Sequence, residues 1–175
     1  EAYLNLGKLL ASRGSFPQAL ESFRHLLELL PLSEEGLTLD AQVLIKLERQ
    51  QEAVALLADA IVKRPKSAPL HLALLDALEA AGDRQGVERA CTAMIEAGIE
   101  PMRAQFTMAR LLAGRSDHSG AFMHLSELSR LLEEQPSNVT DEDRAGIQLR
   151  MIQELIEAQR IPEALQLARA GSVRF

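Results

Sequence analysis

A chain of 175 residues with 47% hydrophobic and 25% charged side chains carries enough apolar material for a folded core, which excludes intrinsic disorder. Its formal net charge of −6 argues against a protein built for the phosphate backbone of nucleic acid, and its single cysteine, Cys91, excludes an internal disulfide. No apolar run approaches the roughly 18 residues of a membrane span, and Glu1 opens no signal-like stretch. The expectation is a soluble piece of a longer protein, in either the cytoplasm or the periplasm.

The abundance of Ala, Leu, Glu and Arg favours helix, because these side chains lose little rotamer freedom there. From Glu1 to Pro31 the chain reads as two short amphipathic helices and a closing proline. Tyr3, Leu6, Gly7 and Leu10 mark the first helix; Ala19, Phe23 and Leu26 mark the second. The same pattern predicts helices at about 1–13, 16–29, 34–47, 50–63, 68–81, 84–97, 102–114, 118–133 and 141–158, with a short last helix after Ile161. Ser33, Ser67 and Asp83 stand where an N-cap oxygen would accept from the first unpaired N–H groups. Ser15 with Gln18 has capping-box spacing, and Thr140 with Asp143 opens the helix expected from about 141. Gly14 and Gly82, 68 residues apart, suit left-handed positions at helix C-termini.

The helix pairs repeat. Gly7 and Ala41, Ala19 and Ala53, Phe23 and Leu57, and Pro31 and Pro65 are each 34 residues apart, small aligning with small and large with large. The register continues through Val87, Cys91 and Met94 to Ala121, Leu125 and Leu128. The expected organisation is one array over residues 1–175, with repeats at about 1–33, 34–67, 68–101, 102–135 and 141–171 and a polar insert at 133–143. The fifth repeat is placed by the likeness of Ile161-Pro162-Glu163-Ala164-Leu165 to Phe16-Pro17-Gln18-Ala19-Leu20.

A 34-residue helix–turn–helix of this pattern resembles the tetratricopeptide repeat (TPR) family. The resemblance rests on Tyr3, Leu6, Gly7, Leu10, Ala19, Phe23, Leu26 and Pro31, then on Leu37, Ala41, Leu44, Ala53, Leu57, Ala60 and Pro65. It departs from the pattern at Asp40, which stands at a usually apolar place, and at His71 and Gln105, which replace bulky residues. It implies an all-α, right-handed superhelical solenoid of antiparallel helix pairs, about five in number, acting as a protein–protein interaction scaffold. The Ala/Leu/Arg-rich style is similar to that of bacterial assembly or export scaffolds of the family. The segment Met94 to Pro101 also resembles the seam of a pentatricopeptide repeat, which would imply single-stranded RNA; the net charge keeps that reading second.

No phosphate loop, metal-ligand spacing or nucleophile motif appears, so no catalytic residue, cofactor, metal or nucleic-acid partner is expected. His118 and His124 are six apart, off a shared helical face, and Cys91 falls on an inward face as an inert thiol. The acidic residues read as solvated helix faces. Asn138-Val139-Thr140 matches a glycosylation acceptor only if the chain is secreted.

The family's groove positions map to Leu4, Asn5 and Lys8; Leu39, Gln42 and Lys46; Leu72 and Asp76; Arg103, Phe106 and Arg110; and Leu149 and Arg150. One apolar side chain per unit, bordered by polar groups, would suit an extended peptide or an amphipathic helix. The plainer alternative is that these residues pack neighbouring first helices together. Arg103, Arg110 and Arg150 would form a basic corner for carboxylates, unless they are solvated or pair with Asp76 and Glu79. Leu4, Leu39, Pro69 and Ala73 stand where the family's chaperone-tail clamp has polar or basic residues, so that clamp is absent. A homo-oligomer joined through incompletely capped ends, or a plain spacer between other domains, completes the set of expectations.

Overall fold

The computed structural model describes residues 1–134 and 140–172. Among these residues it is all helical, with ten helices and no strand. In order they are α1 (Ala2–Ser12), α2 (Phe16–Leu29), α3 (Glu34–Lys46), α4 (Gln50–Lys63), α5 (Ala68–Ala80), α6 (Arg84–Ala97), α7 (Pro101–Ala113), α8 (His118–Glu134), α9 (Asp141–Glu157) and α10 (Ile161–Ser172). The insert's Pro136 and Asn138, and the tail from Val173, lie outside the described residues.

The turn inside each helix pair explains why the pattern recurs. Residues with positive φ stand at Gly14 (77°), Glu48 (60°), Gly82 (69°), Ser116 (61°) and Gln159 (60°). The first four are spaced by 34, and Gln159 comes nine residues late, the delay the polar insert introduces. A left-handed residue after each first helix reverses the chain so that the second helix runs back antiparallel.

Capping is uneven. Ser33 Oγ and Asp83 Oδ1 accept from the N–H of Gly36 (3.1 Å) and Gly86 (2.9 Å), as expected. Thr140 and Asp143 form a reciprocal capping box. Two expected caps are corrected. Ser15 makes no side-chain cap, because Pro17 in the first turn already removes a donor. Ser67 makes none either, and its buried hydroxyl has no hydrogen-bond partner among the described residues.

The chain divides into two compact units, residues 1–99 and 100–175. In the first, α1 packs on α2, α2 on α3, α3 on α4 and α5, α4 on α5, and α5 on α6. Its core sets Ala19, Phe23, Leu37, Ala41, Ala53, Leu57 and Leu70 together. The small residues let helices approach closely. A Cβ on Gly7 would lie 2.7 Å from Phe23 Cδ1, so only hydrogen fits there. The periodic slot occupied by Phe23, Leu57, Cys91 and Leu125 is fully buried each time. Asp40 departs from the solvated-face expectation: it is buried in α3, and Oδ1 lacks a hydrogen-bond partner among the described residues.

In the second unit α7 packs on α8, α8 on α9, and α9 on α10, around Ala109, Leu125, Leu128, Leu132 and Met151. Polar contacts tie α8 to both neighbours. His124 Nδ1 lies 2.6 Å from Oε1 of the buried Gln105 on α7. His118 Nδ1 lies 2.8 Å from Oε2 of Glu154 on α9. Glu154 is the second correction to the solvated-face expectation, since its carboxylate is buried.

Candidate binding groove

The thirteen residues expected to form a groove divide between the two units, and the two groups fare differently. In the first unit Leu4 and Leu39 are half-buried against the hydrophobic core, so their side chains serve packing. Leu72 is half-buried, whereas Asn5, Gln42, Lys46 and Asp76 are exposed. Lys8 is committed to an ion pair with Glu35 on α3, Nζ to Oε1 at 2.5 Å.

In the second unit the arrangement is concave. A groove of about 780 Å³ opens among α7, α8 and α9. Helix α7 supplies Met102, Arg103, Phe106, Ala109 and Arg110; α8 supplies Leu125, Leu128 and Leu132; α9 supplies Glu142, Asp143, Gly146, Ile147 and Arg150. Arg103, Phe106 and Arg110 converge because they sit three and four residues apart, on one face of a helix. Buried leucines of α8 form the floor, and exposed arginines stand at the rim. Gly146 leaves open space above the floor, with nothing near its Cβ position. Leu149 is exposed on α9 and does not line this groove.

Sequence reasoning places four residues of this lining, Arg103, Phe106, Arg110 and Arg150, from the register of the first helices. It misses the α8 contribution. Leu125, Leu128 and Leu132 follow the helical spacing of a core; the groove exposes one side of that core.

Electrostatics sharpen the rim. Arg150 Nε lies 3.1 Å from Oε1 of the buried Glu154, one turn along α9, so this guanidinium is anchored from behind. Glu154 is held in turn by His118. Behind the floor, burial lowers the pKa of His124 from its ordinary value, with Asp117 opposing, which keeps the ring neutral beside Gln105. At the far end of the groove, hydrogen bonds from Thr140 hold the Asp143 carboxyl below the usual range, so that end is anionic. The groove thus has an apolar floor, three guanidinium groups on its rim and an acidic end. Among the described residues no cluster of three metal-ligating side chains occurs, and no helix is long and apolar enough to cross a membrane.

These features define a class: a stack of antiparallel helix pairs with the fold of tetratricopeptide repeat proteins. The particular structures it resembles include MamA, with a TM-score of 0.71 at 14% identity over 97% of this chain and 88% of that one. PilF of Pseudomonas aeruginosa matches with a TM-score of 0.68 at 17% identity, over 98% of this chain and 74% of that one. A thermophilic TPR protein of Thermus thermophilus, TTC0263, matches with 0.61 at 19% identity, over 89% and 80%. No protein-family model matches the chain, and no curated protein does.

Proposed function

We propose that this chain is a non-catalytic protein–protein interaction scaffold, and that the groove of its second unit is where a partner binds. The observation that carries the reading is the coincidence of an apolar floor with Arg103, Arg110 and Arg150 in one groove of about 780 Å³. Apolar side chains of an amphipathic helix or an extended segment would fill the floor beside Phe106, removing surface from water at about 25 cal/mol per Å². Guanidinium groups on the rim would take carboxylates of the same segment, since their planar fork matches a carboxylate's two oxygens. The preferred ligand is therefore an amphipathic, acidic segment of a partner protein. An assembly or export complex is the setting that the sequence resemblance implies.

The reading is tested by selecting a displayed random-peptide library on the intact chain. Affinities of recovered peptides are then measured for wild type, Phe106→Glu and Arg110→Glu. Both positions are exposed, so the fold should survive, and circular dichroism checks that it does. The expected outcome is a set of apolar and acidic peptides whose affinity falls at least tenfold with either substitution, about 1.4 kcal/mol. Peptides that bind both variants as tightly as wild type would remove the groove from consideration.

A further inference from the structure

The groove of the second unit has a counterpart in the first, and there it is closed. Helix α3 packs directly on α5, and Ala73 and Ala77 of α5 are buried in the core the two helices share. Two periods and the nine-residue delay further on, the same places on α9 hold Arg150 and Glu154. The buried Glu154 carboxylate engages Arg150 at 3.1 Å and His118 of α8 at 2.8 Å, so α9 presents an ion pair where α5 presents two methyl groups. Closing a neighbouring helix over that pair would strip water from the exposed guanidinium, a desolvation cost that alanines do not carry. Helices α7 and α9 both pack on α8 instead and stand apart across the groove.

The walls decide what fits. Their backbone N–H and C=O groups are already bonded within α7, α8 and α9, so they offer no sheet edge to pair with an extended segment. A helix satisfies its own backbone. Met102, Phe106 and Ala109 on one wall, and Leu125, Leu128 and Leu132 on the floor, recur at three- and four-residue intervals, the ridges against which another helix packs. Charge sets the order along the groove. His118 meets Glu154 and Arg144 meets Leu132, so α9 runs antiparallel to α8; the turn at Ser116 reverses α7 into α8, so α7 and α9 run parallel. Glu142 and Asp143, in the first turn of α9, therefore lie towards one end, and Arg110 and Arg150 towards the other. We propose that the occupant is an amphipathic α-helix of a partner protein with polarised charge, acidic against Arg110 and Arg150 and basic against Glu142 and Asp143. This reading rests on the groove as the binding site and adds the conformation of the ligand and the order of its charges.

The test selects a displayed random-peptide library separately on the intact wild-type chain and on Glu142→Lys, an exposed position whose variant is first checked for helicity. Recovered peptides are measured against both proteins and against Phe106→Glu. Each is also remade with a central proline, which breaks a helix. Wild type should recover peptides with apolar residues at three- and four-residue spacing, acids at one end and bases at the other. Their affinity should fall at least tenfold with the proline and with Phe106→Glu, and about threefold or more with Glu142→Lys. Glu142→Lys should itself recover peptides acidic at both ends. Peptides that depend on Phe106 but tolerate the proline, or that carry the same charges whichever protein selected them, leave the groove as the binding site and overturn its helical, charge-ordered ligand. Peptides indifferent to Phe106→Glu, or none recovered at all, overturn both.

Discussion

At the residue scale, Asp40 is a point of tension in the fold. Burial raises its carboxyl from 3.8 to about 6, against the opposing pull of Arg24 and Arg49. Because the folded value lies above the unfolded one, the protonated form is the one the fold favours. The associated stability is fully present below pH 3.8 and is lost as pH rises through about 6. The shift from 3.8 to about 6 corresponds to about 3 kcal/mol. Asp40→Leu, which restores the apolar type of its register partners Leu6 and Leu74, should therefore stabilise the chain by about 2–3 kcal/mol at neutral pH. Urea denaturation across pH is the check: the gap between variant and wild type should shrink as pH falls towards 4. A gap independent of pH would place the tension elsewhere. Gly7 makes the opposite case, since its hydrogen faces the ring of Phe23. Gly7→Ala should cost about 1–3 kcal/mol through overpacking, despite alanine's better helix propensity. The next helix pair sets Ala41 with Leu57 in the same register, so adding Phe23→Leu to Gly7→Ala should recover much of the loss in thermal melts.

At the element scale, the same left-handed turn is built from different residues. Gly14 and Gly82 adopt it freely, with nothing near their Cβ positions, whereas Glu48, Ser116 and Gln159 take it with a side chain attached. An L-residue pays about 1–2 kcal/mol there. Glu48→Gly should accordingly stabilise the first unit by about 0.5–1 kcal/mol, the relief exceeding the added unfolded-state entropy. Gly14→Ala should destabilise it by a similar amount. Chemical denaturation of the two single variants reads both signs. This turn also shows what is legible in the sequence. Two glycines 68 residues apart disclose the period, and apolar spacing places every helix from α1 to α9 within one residue at each end. Caps are less legible, because Ser15 and Ser67 have the right residue type while a nearby Pro17 or Pro69 satisfies the first turn differently. Least legible are the polar contacts between helices. His118 and Glu154 are 36 residues apart, and His124 and Gln105 are 19 apart, intervals that no repeat period marks. The α7 side of the groove follows from its register, but the α8 side does not, because a leucine in a core and a leucine on a groove floor have the same spacing.

At the scale of the whole molecule, helices within each unit pack chiefly on their neighbours in sequence, so stability should behave as a sum of local terms and nearest-neighbour contacts. The buried periodic slot lets this be probed by one kind of substitution in two places. Leu57→Ala removes a fully buried side chain from the core of the first unit and should cost about 2–5 kcal/mol. Leu125→Ala does the same in the second unit. If coupling decays along the stack, Leu57→Ala should speed amide hydrogen exchange most in α2 to α5 and least in α8 to α10. Leu125→Ala should invert that order. Exchange followed by mass spectrometry on the intact chain resolves the two patterns, since the affected helices give separate peptides. Uniform acceleration across all ten helices by either variant would mean the chain unfolds as one cooperative body. A graded response would also mean that a partner seated among α7, α8 and α9 stabilises chiefly the helices it touches, leaving the exchange of α1 and α2 unchanged on binding.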